Sequence, residues 1–270
     1  MLKINIVSHT INPDDTVAKA GKLCYSPIGI DDMVLKEGEA EKFVSMLAKM
    51  HHESPLEHAN FTVAIEGISR ITEVQLVRHR LSTYSIQSGR YVKRYAPEFI
   101  VPPSIQDNDL ARQEYDKVCL ASRDAYNNIF LFLMLEKMGF SNDQLNCLAK
   151  DIGHREIMEW ATEKIADFNY DNKKLYSKYE KECAEDARYA HLQSLGTKAV
   201  VTMNARNWLH FFEKRLCNRA QWEIRNLAEV ILRELKDIAP CLFKYAGPGC
   251  AIGSCPEGSM SCGSPKKLLL

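Results

Sequence analysis

The sequence lacks the features that would point to a membrane or to general nucleic-acid binding. It carries no net charge, because 35 lysines and arginines balance 35 aspartates and glutamates among its 270 residues. Proteins that bind nucleic acid or membrane surfaces usually have a basic excess. The longest apolar run, from Ile129 to Leu135, is far too short to span a bilayer, and no signal peptide opens the chain. We therefore expect a cytoplasmic protein that binds neither membranes nor nucleic acid.

Nine cysteines are present, but they lack the spacing of a disulfide framework or of a Cys-x-x-Cys metal site. An odd number of scattered cysteines is typical of reduced intracellular thiols. Four of them lie towards the C-terminal end, among glycines and prolines, at Cys241, Cys250, Cys255 and Cys262. Thiolates in such a segment can bind zinc, but we expect a flexible, reduced tail over residues 246–270 and no bound metal.

The rest of the composition is that of a globular protein, with 46% apolar residues in a chain long enough to bury a substantial core. Alternating apolar residues predict strands at 2–7, 60–66 and 91–95. Apolar spacing and capping residues predict helices from Asn12 towards Cys24, at 39–50 and directly after Ser69. From about residue 107 to residue 195 the sequence is almost wholly helical, with breaks at Gly139, at Gly153 and at 169–172.

The most unusual stretch runs from Arg78 to Arg90. Its thirteen residues contain three arginines, one histidine and four serine or threonine hydroxyls, and no acidic residue. Arginine forks bind phosphate or carboxylate oxygens in pairs, and a small pair such as Ser88-Gly89 lets backbone N–H groups approach a ligand. A lone arginine-rich run is more often a solvated loop. Here it directly follows an apolar helical stretch, and hydroxyls fill its gaps, so we interpret it as an anion site.

Two further segments carry polar groups in ligand-like settings. Residues 51–58 are dense in histidine and glutamate, but their spacing is not that of a zinc-protease helix and Pro55 interrupts it. A polar loop that faces a ligand is therefore favoured over a metal site. Residues 204–210 place polar side chains at the start of a helix, where backbone N–H groups favour anions. Asn218 and Gln221 predict a capping box for the helix that follows.

Together these segments resemble the flavin-dependent thymidylate synthases. Arg78-His79-Arg80, seven residues, Ser88, one residue and Arg90 match the signature of that family in spacing as well as in type. Three other blocks agree in their order along the chain, namely 52–58, Glu185-x-x-Arg188, and 204–206 through 221–223. The resemblance covers most of residues 1–245, which we take as one domain, apart from a central helical region that looks longer than is usual in the family.

The resemblance implies an α+β fold, with a twisted, largely antiparallel sheet flanked by helices and, here, a long helical central region. It implies an FAD-dependent methyltransferase that methylates dUMP reductively at uracil C5 to give dTMP. Methylenetetrahydrofolate would supply the carbon, FAD would carry the hydride, and NADPH would reduce the flavin. The family also forms a homotetramer whose active sites combine residues of several subunits.

The resemblance assigns roles residue by residue. The FAD-binding set is Ser54, Arg78, His79, Arg80, Asn204, Arg206 and His210. The dUMP-binding set is Gln75, Arg78, Gln87, Ser88, Gly89, Arg90, Arg188 and Arg215. Arg215 is also the catalytic residue, because a guanidinium beside the N3/O2 edge of uracil stabilises negative charge that develops there. Ser88 binds and orients rather than attacks, since no base is placed to activate its hydroxyl.

Some positions depart from the family pattern. Ile86 stands where the family often has an acidic residue, so a polar contact to the ligands is absent or supplied elsewhere. His210 replaces an asparagine of several relatives, and Arg219 replaces a histidine of some. The conventional thymidylate synthase mechanism needs a nucleophilic cysteine, but no cysteine lies inside a candidate ligand site, and Cys217 is the only near neighbour.

Two rival functions remain open at this stage. One is a different flavoprotein that uses the same anion sites for another substrate. The other is a nucleic-acid-binding protein that uses the arginine stretch, against which the balanced charge argues.

Overall fold

The computed structural model describes residues 1–50, 52–92, 96–251 and 253–264. In them the strands are β1 (Lys3–His9), β2 (Asn60–Ser69), β3 (Thr83–Ile86) and β4 (Gly196–Asn204). The helices are α1 (Pro13–Tyr25), α2 (Glu39–Lys49), α3 (Arg70–Leu76), α4 (Pro103–Gln106), α5 (Asp109–Lys137), α6 (Asn142–Ile152), α7 (His154–Asp171), α8 (Lys173–Ala187), α9 (Ala205–Arg215), α10 (Trp222–Ile238) and α11 (Pro240–Phe243). The α+β class is confirmed. The chain divides into two compact units, Met1–Ile86 with Thr197–Leu270, and Gln87–Gly196.

The first unit contains a four-stranded sheet with the strand order β1-β2-β4-β3. β1 pairs antiparallel with β2, and β3 pairs antiparallel with β4. Phe61, Val63 and Ile65 of β2 are buried on one face, as their alternation in the sequence requires. On the other face the hydroxyls of Thr62 and Thr202 hydrogen-bond across β2 and β4 at 2.9 Å. The predicted antiparallel pairing is confirmed, and β2 lies between the first strand of the chain and β4, which leads into α9.

The core of this unit rests on the helices that follow β4. Asn204 caps the start of α9, because its side-chain oxygen accepts a hydrogen bond from the N–H of Asn207 at 2.9 Å. One face of α9 buries Trp208, Phe211 and Phe212 completely. α10 adds an apolar face made of Ile224, Leu227, Ala228, Ile231, Leu232 and Leu235. Burial of these large side chains fixes α9 in place, so that its polar residues have a rigid support.

A buried carboxylate ties the start of α10 to the junction of β2 and α3. Glu223 is 5% exposed, and its two oxygens accept hydrogen bonds from the backbone N–H and the hydroxyl of Ser69, each at 2.6 Å. The Ser69 hydroxyl oxygen in turn accepts from the N–H of Thr72 at 3.2 Å, as the predicted cap of α3 requires. This network positions α3, whose C-terminal end leads into the basic stretch.

We expect Glu223→Ala to lower the free energy of unfolding by about 2 kcal/mol, because it leaves the donors of Ser69 unsatisfied in a buried place. Chemical denaturation monitored by circular dichroism would measure the loss. The matched control is Glu234→Ala on the exposed side of the same helix. Equal effects of the two substitutions would show that the buried network contributes nothing specific.

The second unit is helical in its described residues. α5 begins at Asn108, whose side-chain oxygen accepts from the N–H of Ala111 at 3.0 Å, and α6 begins with a capping box between Ser141 and Gln144. Its core packs residues of α5, α6, α7 and α8, including Tyr126, Phe130, Met134, Leu145, Ala161, Ile165, Cys183, Ala184 and Ala187. In the described ranges, no helix is long and apolar enough to cross a membrane.

Some local predictions differ from the structure. Of the strand predicted at 91–95, Tyr91 and Val92 lie in a turn, and 93–95 lie outside the described residues. A strand lies instead within the basic stretch, because β3 pairs with β4. The capping box predicted from Asn218 and Gln221 is wrong. Gln221 caps α10 by itself through its side-chain oxygen, which accepts from the first N–H groups of that helix at 3.0 and 3.1 Å.

Candidate active site

The first cluster joins the end of α9 to the residues after α3. The Arg215 Nε donates a hydrogen bond to the Nε2 of His79 at 3.1 Å, and its Nη2 donates to the backbone oxygen of Gln75 at 3.2 Å. The His79 ring meets the rings of Phe211 and His210 edge-on, with centroids 5.0 and 6.0 Å away. These contacts fix the guanidinium fork of Arg215 while leaving donors available for a ligand.

Electrostatics keep His79 neutral. Burial, reinforced by the positive charge of Arg215, lowers the pKa of His79 from 6.5 to about 4. At neutral pH its Nε2 is therefore unprotonated and accepts the hydrogen bond from Arg215, while Nδ1 carries the proton. Burial and the nearby charge of Arg78 lower the pKa of Arg215, but a guanidinium remains charged at any physiological pH.

His79 gives the fold a defined pH dependence. The unfolded chain protonates this histidine below about pH 6.5, whereas the folded chain resists protonation until about pH 4. The stabilisation is thus fully present above pH 6.5 and is lost as the pH falls to about 4. We expect His79→Gln to show a smaller fall in melting temperature than the parent across this window. His58→Gln, at an exposed histidine, is the control; a parallel fall in parent and His79→Gln would contradict the assignment.

The loop after α3 carries two exposed arginines. Arg78 and Arg80 are exposed, and neither has a hydrogen bond or an ion pair with any residue that the structure describes. The loop backbone is nevertheless fixed. The Tyr84 hydroxyl lies 2.9 Å from the carbonyl oxygen of Leu76 and 2.8 Å from that of His79. Two guanidinium groups on a braced loop, with no partner among the described residues, are suited to an anionic ligand.

A second group of polar residues in the first unit lies at the start of α9. Arg206 donates from Nε to Glu53 at 2.9 Å and from Nη1 to Glu57 at 2.6 Å. Ser54 opens the 3-10 turn Ser54–His58 between these carboxylates and is exposed. Unlike Arg78 and Arg80, Arg206 therefore already has two partners, although its side chain is 48% exposed. His210, one turn further along α9, is exposed, with its Nδ1 3.9 Å from a carboxylate oxygen of Glu213.

In the second unit, one carboxylate brings two arginines together. Arg90 Nε lies 3.0 Å from one oxygen of Glu185, and Arg188 Nη2 lies 3.6 Å from the other. Gly89 lies against the Arg188 side chain, so that a Cβ at this position would be 3.5 Å from Arg188. The Ser88 hydroxyl oxygen accepts from the backbone N–H of Arg90 at 3.2 Å. This arrangement holds two guanidinium forks close enough for one anion to contact both.

Known proteins are similar to this chain over most of its length. The profile of the family described as thymidylate synthase complementing protein matches residues 5–241. A flavin-dependent thymidylate synthase of Clostridium tetani is 41% identical over 269 residues, which cover 99% of this chain and 95% of the relative. That of Geobacter sulfurreducens is 38% identical, with 97% and 94% covered. That of Sulfolobus acidocaldarius is 36% identical, with 93% and 79% covered. The chain belongs to the flavin-dependent thymidylate synthase family.

Membership confirms the resemblance. The predicted flavin-binding residues all lie in the first unit. The predicted nucleotide-binding residues are divided, with Gln75, Arg78 and Arg215 in the first unit and Gln87, Ser88, Gly89, Arg90 and Arg188 in the second.

Several residues that shape this candidate site were given no individual role in the sequence analysis. Glu53, Glu57 and Glu185 orient arginines, and Tyr84 and Asn207 brace the arginine loop; Asn207 donates from its side-chain amide to the backbone oxygen of Leu81. Only the pair of Glu185 and Arg188 carried a sequence signal, because residues three apart on a helix are neighbours. The other contacts join residues that are far apart in the chain.

Proposed function

We propose that this chain methylates dUMP at uracil C5 to give dTMP, using methylenetetrahydrofolate as the carbon donor and NADPH as the reductant. One observation carries the proposal. Arg215, at the C-terminal end of α9, is fixed by a neutral histidine, and Asn204 caps the N-terminal end of the same helix. The adjoining loop carries Arg78 and Arg80, which have no hydrogen bond or ion pair with any described residue. This combination suits a nucleotide whose base must accept negative charge in the transition state.

The first unit suits FAD by the chemistry of its donors. The guanidinium groups of Arg78 and Arg80 would contact the phosphates, and the set is completed by Ser54, His79, Asn204, Arg206 and His210. FAD would carry the hydride from NADPH to the methylated base. Glu53 and Glu57 hold the guanidinium plane of Arg206, so that its outward-facing donors are oriented before the cofactor binds.

The second unit suits the phosphate of dUMP. Arg90 and Arg188 would bind it, with Ser88, Gly89 and Gln87 adding polar and backbone groups. Glu185 already aligns the two forks, and its charge would be compensated by the remaining donors of the same arginines. Gln75, Arg78 and Arg215 would face the rest of the nucleotide.

Arg215 would stabilise negative charge at the N3/O2 edge of uracil, and its setting suits that role. Because His79 is neutral, it accepts from Arg215 without adding a second positive charge beside the base. Partial burial of Arg215 raises the strength of its electrostatic interactions relative to those in water. Arg215 is thus the catalytic residue of the proposal, and His79 positions it.

We further propose a homotetramer in the cytoplasm, with each active site combining residues of several subunits. Support comes from the division of the nucleotide-binding residues between two units and from family membership. Light scattering on the purified chain would give the subunit number. Co-expression of Arg90→Ala with Arg206→Ala chains would test the sharing when activity is assayed at a dUMP concentration well below the Kd of the Arg90→Ala variant. If the two residues come from different subunits, about a quarter of the sites in mixed tetramers would be intact. No recovery would place both residues of a site in one chain.

The activity is tested on the purified full chain. We expect a yellow protein whose absorbance bleaches with NADPH and returns when dUMP and methylenetetrahydrofolate are added. Tritium release from the C5 position of uracil would identify the substrate. A yellow protein that bleaches and then responds only to another nucleotide would instead identify a flavoprotein of different specificity.

A further inference from the structure

A small pocket in the first unit is lined by four cysteines. Cys217 lies just after α9, and Cys250, Cys255 and Cys262 come from the glycine-rich segment after α11. The rest of its lining is Asn218, Arg219, Glu257, Ser261 and Ser264. The proposed reaction uses none of these thiols.

The structure changes which cysteines belong together. The sequence groups Cys241 with the three later cysteines, but Cys241 does not line the pocket. Its backbone N–H donates to Asp14 at 3.0 Å, and burial together with the charge of Asp14 raises the pKa of its thiol to about 12. Cys241 is therefore a protonated structural thiol. The fourth cysteine of the pocket lining is Cys217, which precedes α10 in the chain.

The C-terminal segment lacks a core of its own. From Gly249 onwards no described residue is buried, and five glycines lie between 247 and 264. Polar contacts attach it to the loop after α9. Arg219 Nη1 donates to Glu257 at 2.9 Å and to the backbone oxygen of Met260 at 2.8 Å, and Asn218 Nδ2 donates to the backbone oxygen of Ser264 at 3.1 Å. Segments without an apolar core are usually held by a disulfide or a metal, and reduced thiols favour the metal.

We propose that Cys217, Cys250, Cys255 and Cys262 bind one zinc ion, which fastens the C-terminal segment to the end of α9. Four thiolates are a common donor set of structural zinc, and the four residues between Cys250 and Cys255 fall within the usual spacing of paired ligands. This inference does not depend on the proposed reaction. It concerns a site outside the residues assigned to FAD and dUMP.

The candidate site is empty, and its thiols are not close enough together to bind one ion in this structure. No three histidine, cysteine, aspartate or glutamate side chains of the described residues are close enough to hold a metal ion together. Three of the four cysteines lie in a segment without buried residues, and a thiol changes position by rotation about a single bond, so closure around an ion requires no disruption of the core. Such coupling of metal binding to local ordering is common in small metal sites.

Polar neighbours favour the charged, metal-bound form. Four thiolates around a divalent ion leave a net negative charge, and Arg219 is a cation in the same pocket lining. The Asn218 side-chain amide lies 3.8 Å from the sulfur of Cys262, where it can donate to a thiolate. Arg215 precedes Cys217 by two residues. Zinc binding would therefore also fix the end of α9 that carries Arg215.

The first experiment uses the untagged full chain, purified with a reductant and without chelator. We expect elemental analysis to find about one zinc per chain, before or after incubation with zinc and desalting. Exchange for cobalt should give thiolate-to-metal absorption and the visible bands of tetrahedral cobalt. A chain that retains no zinc after incubation would overturn the proposal. So would a chain that contains iron with a brown absorbance instead of zinc.

Variants identify the ligands. We expect Cys255→Ser and Cys262→Ser each to lower the retained zinc to a small fraction of the parent value, while Cys241→Ser and Cys147→Ser retain it. Cys241 tests the grouping suggested by the sequence, and Cys147 is an exposed cysteine on α6. Loss of zinc only in Cys241→Ser would disprove the assignment. If a ligand variant does not fold, the intensity of the cobalt charge-transfer band in the unmodified chain still counts the thiolates, and a value for fewer than three would overturn the site.

Discussion

Arg215→Lys is expected to slow dTMP formation in a single turnover by about 100- to 1,000-fold, the usual cost of removing one preorganised donor to developing charge. Binding of dUMP should change much less, because the lysine keeps the positive charge. The structure gives the reason. Arg215 uses Nε and Nη2 for His79 and Gln75, and only a planar fork can hold both contacts while aiming its other donors at a ligand. A lysine has a single ammonium group for all three tasks.

The measurements are single-turnover dTMP formation, a dUMP titration and a melting curve on the same preparation. Arg225→Lys is the matched control. Arg225 Nη1 donates to the backbone oxygen of Asn218 at 2.9 Å, so this arginine also braces the junction of α9 and α10 but is assigned to no ligand. We expect the control to retain turnover. An Arg215→Lys chain that melts normally and forms dTMP at the parent rate would remove Arg215 from the catalytic residues. If Arg215→Lys instead lowers the flavin content and the melting temperature together, the role of Arg215 is structural.

Arg90→Ala should weaken dUMP binding by about 30- to 150-fold, which corresponds to about 2–3 kcal/mol for a charge-assisted contact to phosphate. The turnover of the saturated enzyme should fall much less. Stability should hardly change, because the ion pair of Arg90 with Glu185 is exposed, and such pairs contribute little to folding. The Kd of dUMP and the melting temperature together measure these effects.

Glu185→Gln separates the phosphate contact from the ion pair. It removes the charge that joins Arg90 and Arg188 but leaves both guanidinium groups and a hydrogen-bond acceptor of the same size. We expect it to change the Kd of dUMP by less than about threefold if Arg90 acts on the phosphate directly. A loss as large as that of Arg90→Ala would show that alignment by Glu185, rather than the arginine itself, governs binding. An unchanged Kd in Arg90→Ala would move Arg90 out of the site.

The sequence by itself determined the family and most helices. The spacing from Arg78 to Arg90 is a local property of the chain, as are the caps Ser69, Asn108 and Asn204, since each depends on residues within a few positions of one another. Apolar periodicity likewise predicted the helical region that begins near residue 107 and its break at Gly139, which lies between α5 and α6. The strand β3 was missed because it has only four residues and its pairing partner β4 is more than one hundred residues away.

Only the tertiary structure decided which polar groups meet. Arg215 reaches His79 across 136 positions, and Arg206 reaches Glu53 and Glu57 across about 150. The same holds for Cys217, which joins the later cysteines in place of Cys241. Each of these contacts is set by how α9 packs its Trp208 face into the core, which aims the opposite face and both helix ends at segments remote in sequence. No local pattern encodes that orientation, because it results from the summed burial of side chains contributed by several elements.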